Sequence, residues 1–433
     1  MTLHQRIVAL SVPAAATLIA DPLLGIVDTA VVGRIGSVEL GALGLAVGLL
    51  ASVSWVFNFL VYGTTAVVSR AVGAGDGLLA GRRIVHAAQV AVLVGIIVAV
   101  VLITLADSVV ELTGAASSLR SPAADYLRIR AVGVPFLLLS YVGHGAHRGL
   151  SDTRAPLAFV VVANVVNALL DVVLVLVLDF GLAGAAWATV AAEVIVVALF
   201  ATRVRRLPVV LRGHGRPGRD DVRSLLVVGR DLVIRTGALL LSLLAMSVAT
   251  ARVGPVVAAA HQLLFSTWIF VSALLDGVAI AGQALVGTAL GRGDPAEAKR
   301  VAATLVRWAF GSGVAVAAVL LPLGFVVPGL LTSEPEVVTL ATSVWWLASA
   351  CHVFSGGAFV LDGVLMGAGD FGWLRSWAVI AAAASIALIV FVEASGGGLL
   401  PLWVAFETMV AVRVVANVAR VRAGRWAVPG ASL

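Results

Sequence analysis

The chain has 433 residues, of which 61% are hydrophobic and only 12% charged, a balance that no ordinary soluble domain of this length carries. It is therefore read as a polytopic membrane protein. The formal net charge of +6 is not a nucleic-acid footprint, because the arginines gather in alternate loops between apolar stretches.

A helix needs about 20 apolar residues to cross the hydrocarbon, and windows of that length recur at 10–33, 43–70, 84–106, 122–148, 156–178, 182–202, 226–251, 257–289, 301–328, 336–366, 373–392 and 398–420. The first follows His4 and Arg6, an arrangement that imitates a secretory leader. Its apolar run outlasts the roughly 7 to 15 residues of a leader and continues through Asp21 to Asp28, so it is expected to stay as a span. The fifth carries one ionisable residue between Leu157 and Leu178, Asp171. A carboxylate inside the bilayer costs about 2.5 kcal/mol or more, so it points to an ion or substrate pathway facing the protein interior.

Loop charges set the orientation. Arg70, Arg82 and Arg83 lie between windows 2 and 3, and Arg148 and Arg154 between windows 4 and 5. Arg203 to Arg223 separates windows 6 and 7, Arg292, Lys299 and Arg300 separate 8 and 9, and Arg413, Arg420, Arg422 and Arg425 close the chain. The positive-inside rule makes these cytoplasmic, together with both termini. Arg120, Arg128 and Arg130 fall on the other side, accompanied by Asp107, Glu111 and Asp125. The single cysteine, Cys351, rules out an intrachain disulfide.

The loops also repeat. Gly73-Ala74-Gly75-Asp76 matches Gly291-Arg292-Gly293-Asp294, and Arg148-Gly149-Leu150-Ser151-Asp152 matches Met366-Gly367-Ala368-Gly369-Asp370, both at an offset of 218 residues. Two halves of six spans each, entering from the same side, are related by an axis along the membrane normal. The expected division is a first lobe over 1–205, a cytoplasmic linker over 206–224 and a second lobe over 225–433. At the same offset Asp28, Asn167 and Asp171 land on Met246, Ser385 and Ile389, so those carboxylates have no counterpart in the second half.

The stretches Pro22 to Gly33, Asn164 to Asp171, Gly184 to Thr189, Gly229 to Arg235, Leu275-Asp276-Gly277 and Leu361-Asp362-Gly363 together resemble the multidrug and toxic compound extrusion (MATE) family, particularly its DinF-like branch. The resemblance spans almost the whole chain. It implies an all-α integral membrane protein of twelve transmembrane helices in two pseudo-symmetric six-helix lobes. It further implies an antiporter that exports cationic or amphipathic organic compounds while a proton or a sodium ion enters. In that family the first lobe's cation site is built from a helix 1 aspartate, a helix 5 asparagine and aspartate, and a helix 6 threonine. Those roles fall on Asp28, Asn167, Asp171 and Thr189.

The site is coherent on physical grounds. Asp171 and Thr189 each lie about eight residues from the turn near Asp179 to Gly181, roughly 12 Å at 1.5 Å per residue, so they share one depth. Asn164, Asn167 and Asp171 share one helix face. Their oxygens would suit sodium, a hard cation, or equally a proton held between two desolvated carboxyl groups. Asn164 and Asp21 are secondary polar candidates, and Asp21, beside Pro22, is better read as a cap or helix-break contact. In the second lobe Arg235, Asp276 and Asp362 lean cytoplasmic, and an inner gate explains them as well as substrate binding does. His261 and His352 read as interior residues. Trp55, Phe57, Phe59, Trp268, Phe270 and Phe354 could line a cavity for organic cations.

Other functions fit poorly. Lys299 is the only lysine and is followed by Arg300, so no phosphate-cradling Gly-x-x-x-x-Gly-Lys-Ser/Thr loop exists and direct ATP drive is excluded. A lipid-linked precursor flippase of the same superfamily is the nearest rival, expected to have extra helices and a more basic cavity. A prenyltransferase-type enzyme needs clustered aspartates for magnesium and pyrophosphate, and Asp171 stands alone. The chain is thus expected to be no enzyme and to hold no resident cofactor. It is expected to act as a monomer in a bacterial plasma membrane.

Overall fold

A chain segment in lipid must satisfy every backbone N–H and C=O within itself, which leaves helices as the solution for isolated apolar windows. The computed structural model describes residues 1–205 and 219–431, with the side chains of 21–23 and 219–225 left aside. Among the described residues it is helical and without strands: α1 (Leu3–Val32), α2 (Ser37–Phe57), α3 (Phe59–Gly73), α4 (Gly77–Leu112), α5 (Ser117–Gly149), α6 (Arg154–Asp171), α7 (Gly181–Arg205) and α8 (Arg219–Val253). The order continues through α9 (Pro255–Gly291), α10 (Pro295–Leu323), the short α11 (Val327–Leu331), α12 (Pro335–Ala350), α13 (His352–Ala368), α14 (Phe371–Ala394) and α15 (Leu399–Ala423).

Eleven of these segments are long and apolar enough to span, with α2 and α3 counted as one, and α12 with α13 forms a twelfth, bent by 42° at Cys351. Every window read from the sequence lies on one of them. The window 301–328 overran its helix, because α10 stops at Leu323 beside Pro322 and Gly324, and Pro328 begins α11. A proline supplies no N–H to continue a helix and favours its first turn. The expectation for Asp21 falls on a side chain outside those described.

The backbone shares two compact units, Met1–Ala15 with Val227–Leu433, and Ala16–Leu226. The unit that holds the second half thus also takes in the first turns of α1, which the expected division assigned to the first lobe. Ile7 is fully buried, Trp308 Nε1 donates to His4 Nδ1 at 2.9 Å, and a Cβ on Gly277 would lie 2.7 Å from the Ser11 carbonyl and 2.8 Å from the Ala15 Cβ. Loop repeats could not reveal this, because they mark chain offsets and not where a terminal helix docks. Of the expected linker, 206–218 lies outside the described residues, and 219–224 already belongs to α8.

The repeat holds at atomic detail. Shifted by 218, the bounds of α7 coincide with those of α15. Gly75 and Gly293 adopt φ of 72° and 79°, a left-handed turn that glycine enters without steric cost. The following aspartates cap helices alike: Asp76 Oδ1 accepts from Leu79 N at 2.8 Å and Asp294 Oδ1 from Glu297 N at 2.8 Å, satisfying N–H groups orphaned at a helix start. Helix contacts repeat too. A Cβ on Gly145 of α5 would meet the Val61 carbonyl of α3 at 2.6 Å, and one on Gly363 of α13 the Ala279 carbonyl of α9 at 2.3 Å.

Each unit has its own apolar core. Leu43, Leu102, Leu127, Leu138 and Val175 belong to the first, and Leu264, Trp345, Leu402, Trp403 and Phe406 to the second. The arginines that broke the charge rule are paired. Arg120 binds Glu111 at 3.2 Å, Arg128 binds Asp107 and Asp125, and Arg130 binds Glu193. Conversely Arg70, Arg148 and Arg413, read as loop charges, are buried.

Candidate functional site

The first unit places Asp28 on α1, Asn167 and Asp171 on α6, and Thr189 on α7 in one cluster. Asn167 and Asp171 are fully buried, and Asp28 and Thr189 are half-buried. Of the two orientations of the Asn167 amide, one gives both ends a partner. Its nitrogen then donates to Asp28 Oδ1 at 3.1 Å and Asp171 Oδ2 at 3.0 Å, and its oxygen accepts from the Thr189 backbone N–H at 3.1 Å. That orientation is preferred because a buried amide left facing like groups forfeits its hydrogen bonds. The Asn167 amide thus links the Asp28 and Asp171 carboxyl groups, and Asp171 Oδ1 has no hydrogen-bond partner among the described residues. Thr189 Oγ1 is tied to the Ala185 carbonyl at 3.0 Å.

Local structure explains the placement. At Asp171 the α6 ladder widens into a π-helical stretch, Val172–Val177, a rare irregularity that recurs at functional sites. The chain reverses through Asp179, at φ 54°, and Gly181, and returns as α7 so that Thr189 faces Asn167. Gly184 lets α7 approach this stretch, since a Cβ there would lie 3.0 Å from the Leu174 carbonyl. Asn164 stands apart from the carboxylates: its Nδ2 donates to the Ala20 carbonyl at 3.0 Å, fastening α6 to α1.

Sequence reasoning missed the cluster's neighbours. Arg130 Nη2 binds Glu193 Oε1 at 2.9 Å, with side chains only 11% and 13% exposed. Arg130 is one turn beyond Tyr126 on α5 and Glu193 one turn beyond Thr189 on α7. Tyr126 is buried within electrostatic reach of Asp28, Asp171, Arg130 and Glu193. Gly133 makes room for the pair, as a Cβ there would sit 2.2 Å from Glu193 Oε2. The four-residue step from Thr189 to Glu193 was the available signal.

In the second unit, Asp362 on α13 accepts from Arg235 on α8 and from Arg413 and Asn417 on α15, the last at 2.8 Å. All four side chains are buried. Arg413 and Asn417 are one turn apart on the face that meets α13. Asp276, half-buried on α9, has an interaction of its own. The proposed aromatic lining is divided: Trp268 is buried, stacked with Phe265 at 6.0 Å, while Trp55, Phe270 and Phe354 are about half exposed. His261 and His352 are buried. Among the described residues no group of three or more His, Cys, Asp or Glu side chains is arranged to hold a metal ion.

The chain can be set beside known proteins at this point. The MatE family model matches residues 13–173 and 235–410. Protein DETOXIFICATION 44, chloroplastic, of Arabidopsis thaliana is 34% identical over 98% of this chain and 83% of its own length. DNA damage-inducible protein F of Escherichia coli (strain K12) is 30% identical over 93% of this chain and 89% of its own. A crystal structure of MATE in the bent conformation superposes with a TM-score of 0.89 at 21% identity, covering 98% of this chain and 95% of that one, a likeness of fold. The class is that of multi-pass, all-helical membrane transporters, not enzymes. The chain belongs to the MATE family, with DinF among its relatives.

Proposed function

We propose that this transporter is a secondary active antiporter that exports cationic or amphipathic organic compounds in exchange for a proton taken up by the Asp28 and Asp171 pair. The observation that carries the reading is two carboxyl groups, Asp171 fully buried on α6 and Asp28 half-buried on α1, bridged by one amide. With a proton bound the pair carries a single negative charge, to which the Asn167 amide donates. Without it, two carboxylates face each other in a desolvated place, and their repulsion favours a different arrangement of α1 against α6. One proton thus biases a two-state element, which is what coupling requires.

Sodium is the rival coupling ion. It would want oxygen ligands, whereas the amide of Asn167 turns its nitrogen to the carboxylates and its oxygen to Thr189. Asp362 spends both oxygens on Arg235, Arg413 and Asn417, which supports a structural or gating role over substrate binding. We place the protein in the plasma membrane of a bacterium, working as a single chain with both termini cytoplasmic.

Efflux from proteoliposomes under an imposed proton or sodium gradient tests the proposal. Asp28→Asn and Asp171→Asn, near-isosteric changes, should each abolish gradient-driven export while the melting temperature stays within a few degrees. Undiminished transport in both variants sinks the site, and a response to sodium alone reverses the choice of ion.

A further inference from the structure

The second unit carries a buried carboxyl group that nothing so far has used. Glu407 is the only ionisable residue in the span from Leu399 to Val412 and is 8% exposed. Cys351, buried where α12 meets α13, lies within electrostatic reach of it, and Glu407 Oε1 has no hydrogen-bond partner among the described residues. Trp403, one turn earlier on α15, and Phe406 are fully buried and packed edge to face at 5.8 Å, with His261 5.8 Å from Trp403.

Among the described residues, the arginines flanking α15 are committed elsewhere. Around α15, Arg413 and Arg235 hold Asp362, Arg375 on α14 holds Asp231, and Arg252 on α8 holds Glu393 on α14. Arg420 on α15 holds Asp370. His352 on α13 directs Nδ1 to the Ala348 carbonyl at 2.8 Å. Asp276 on α9 and Glu336, at the outer start of α12, are themselves acids.

The repeat sharpens the contrast. Glu407 stands 218 residues after Thr189, Cys351 after Gly133 and Ala348 after Arg130. In the first unit the buried acid on α7, Glu193, has Arg130 beside it. In the second unit both registers of that pair hold alanine, Ala348 and Ala411, and the acid stands one turn earlier with no arginine opposite among the described residues. An ionised carboxyl buried without a cation is far more costly than the neutral acid with one idle oxygen. Thiol and indole groups are donors, not ligands for a hard metal ion, so the ion that fits is the smallest one.

We propose that Glu407 is a second proton-binding site, carried by the C-terminal unit and wired through Cys351 to the bend between α12 and α13. The proton occupies the carboxyl oxygen and leaves to water. When it leaves, the thiol becomes the sole donor to a buried carboxylate, which tightens the contact between α15 and the 42° break. The site stands independently of the first-unit cluster and would hold even if Asp28 and Asp171 bind sodium.

Infrared difference spectroscopy of the purified full chain, between mildly acid and mildly alkaline buffer, tests it. Cys351 is the only cysteine, so its S–H stretch is a single reporter in a clear spectral window. In the unsubstituted protein that band should move in step with loss of a protonated-carboxyl C=O band. The C=O change should persist in the Asp28→Asn/Asp171→Asn double variant and in Cys351→Ser, and vanish in Glu407→Gln, with about one proton fewer released per chain. An S–H band that stays fixed while pH changes, or a C=O change that survives in Glu407→Gln, overturns the proposal. The S–H reading needs no substitution, so it stands if the glutamine variant fails to fold.

Discussion

Two neighbouring solutions to the same problem stand side by side in the first unit. Asp28 and Asp171 share the Asn167 amide and have, on the proposed reading, a mobile proton between them, whereas Glu193 has a fixed arginine 2.9 Å away. Removing one partner of a buried pair leaves an uncompensated charge, at a cost of about 3–5 kcal/mol. Arg130→Met should therefore lower the melting temperature sharply, and adding Glu193→Leu should recover most of the loss. A thermal-melt double-mutant cycle that came out additive would show the pair is not coupled. Transport in the double variant should be retained if the pair merely braces α5 against α7. This scale also shows what a sequence can disclose. Asp28 and Asp171 stood out because a carboxyl in an apolar span is costly wherever it points, whereas Asn167 and Thr189 were reached through the family resemblance. Arg130 and Arg413 were misread because their carboxylate partners lie 63 and 51 residues away, and charge counting by loop cannot see a helix's rotation.

At the scale of elements, glycine holds spans together where lipid gives no hydrophobic drive for association. Gly363 lets α13 touch α9, with a Cβ there falling 2.3 Å from a backbone carbonyl that no rotamer change can move. Gly363→Ala should cost about 1–3 kcal/mol by forcing the helices apart. Gly237→Ala on α8 is the matched control: nothing lies within 4 Å of its Cβ, so alanine should be neutral or add up to about 1 kcal/mol. Equal melting temperatures for the two variants would refute the close-packing argument. The position of each span and the register of the repeat were legible from apolar length and loop motifs. The break at Asn58 between α2 and α3, the bend at Cys351 and the π-helical stretch after Asp171 were not. These irregularities depend on neighbouring helices and leave the local hydrophobic pattern intact.

At the scale of the molecule, the chain repeats by sequence at 218 residues but folds with a different seam. The first fifteen residues belong with the second half, and Ser11 and Ala15 fill the groove that Gly277 leaves on α9. A chain split within 206–218 and expressed as two pieces makes the seam testable. Pieces 1–212 and 213–433, produced together, should copurify and support gradient-driven export. Deleting residues 2–15 from the first piece should abolish copurification or transport, although that piece keeps Asp28, Asn167, Asp171 and Thr189. Gly277→Leu in the intact chain should have a milder effect of the same kind, by wedging the start of α1 off α9, and should lower the melting temperature by several degrees. If the shortened piece complements as well as the full one, residues 2–15 are dispensable to the second unit, and the division at residue 1 read from the loops describes the working molecule better than the packing does.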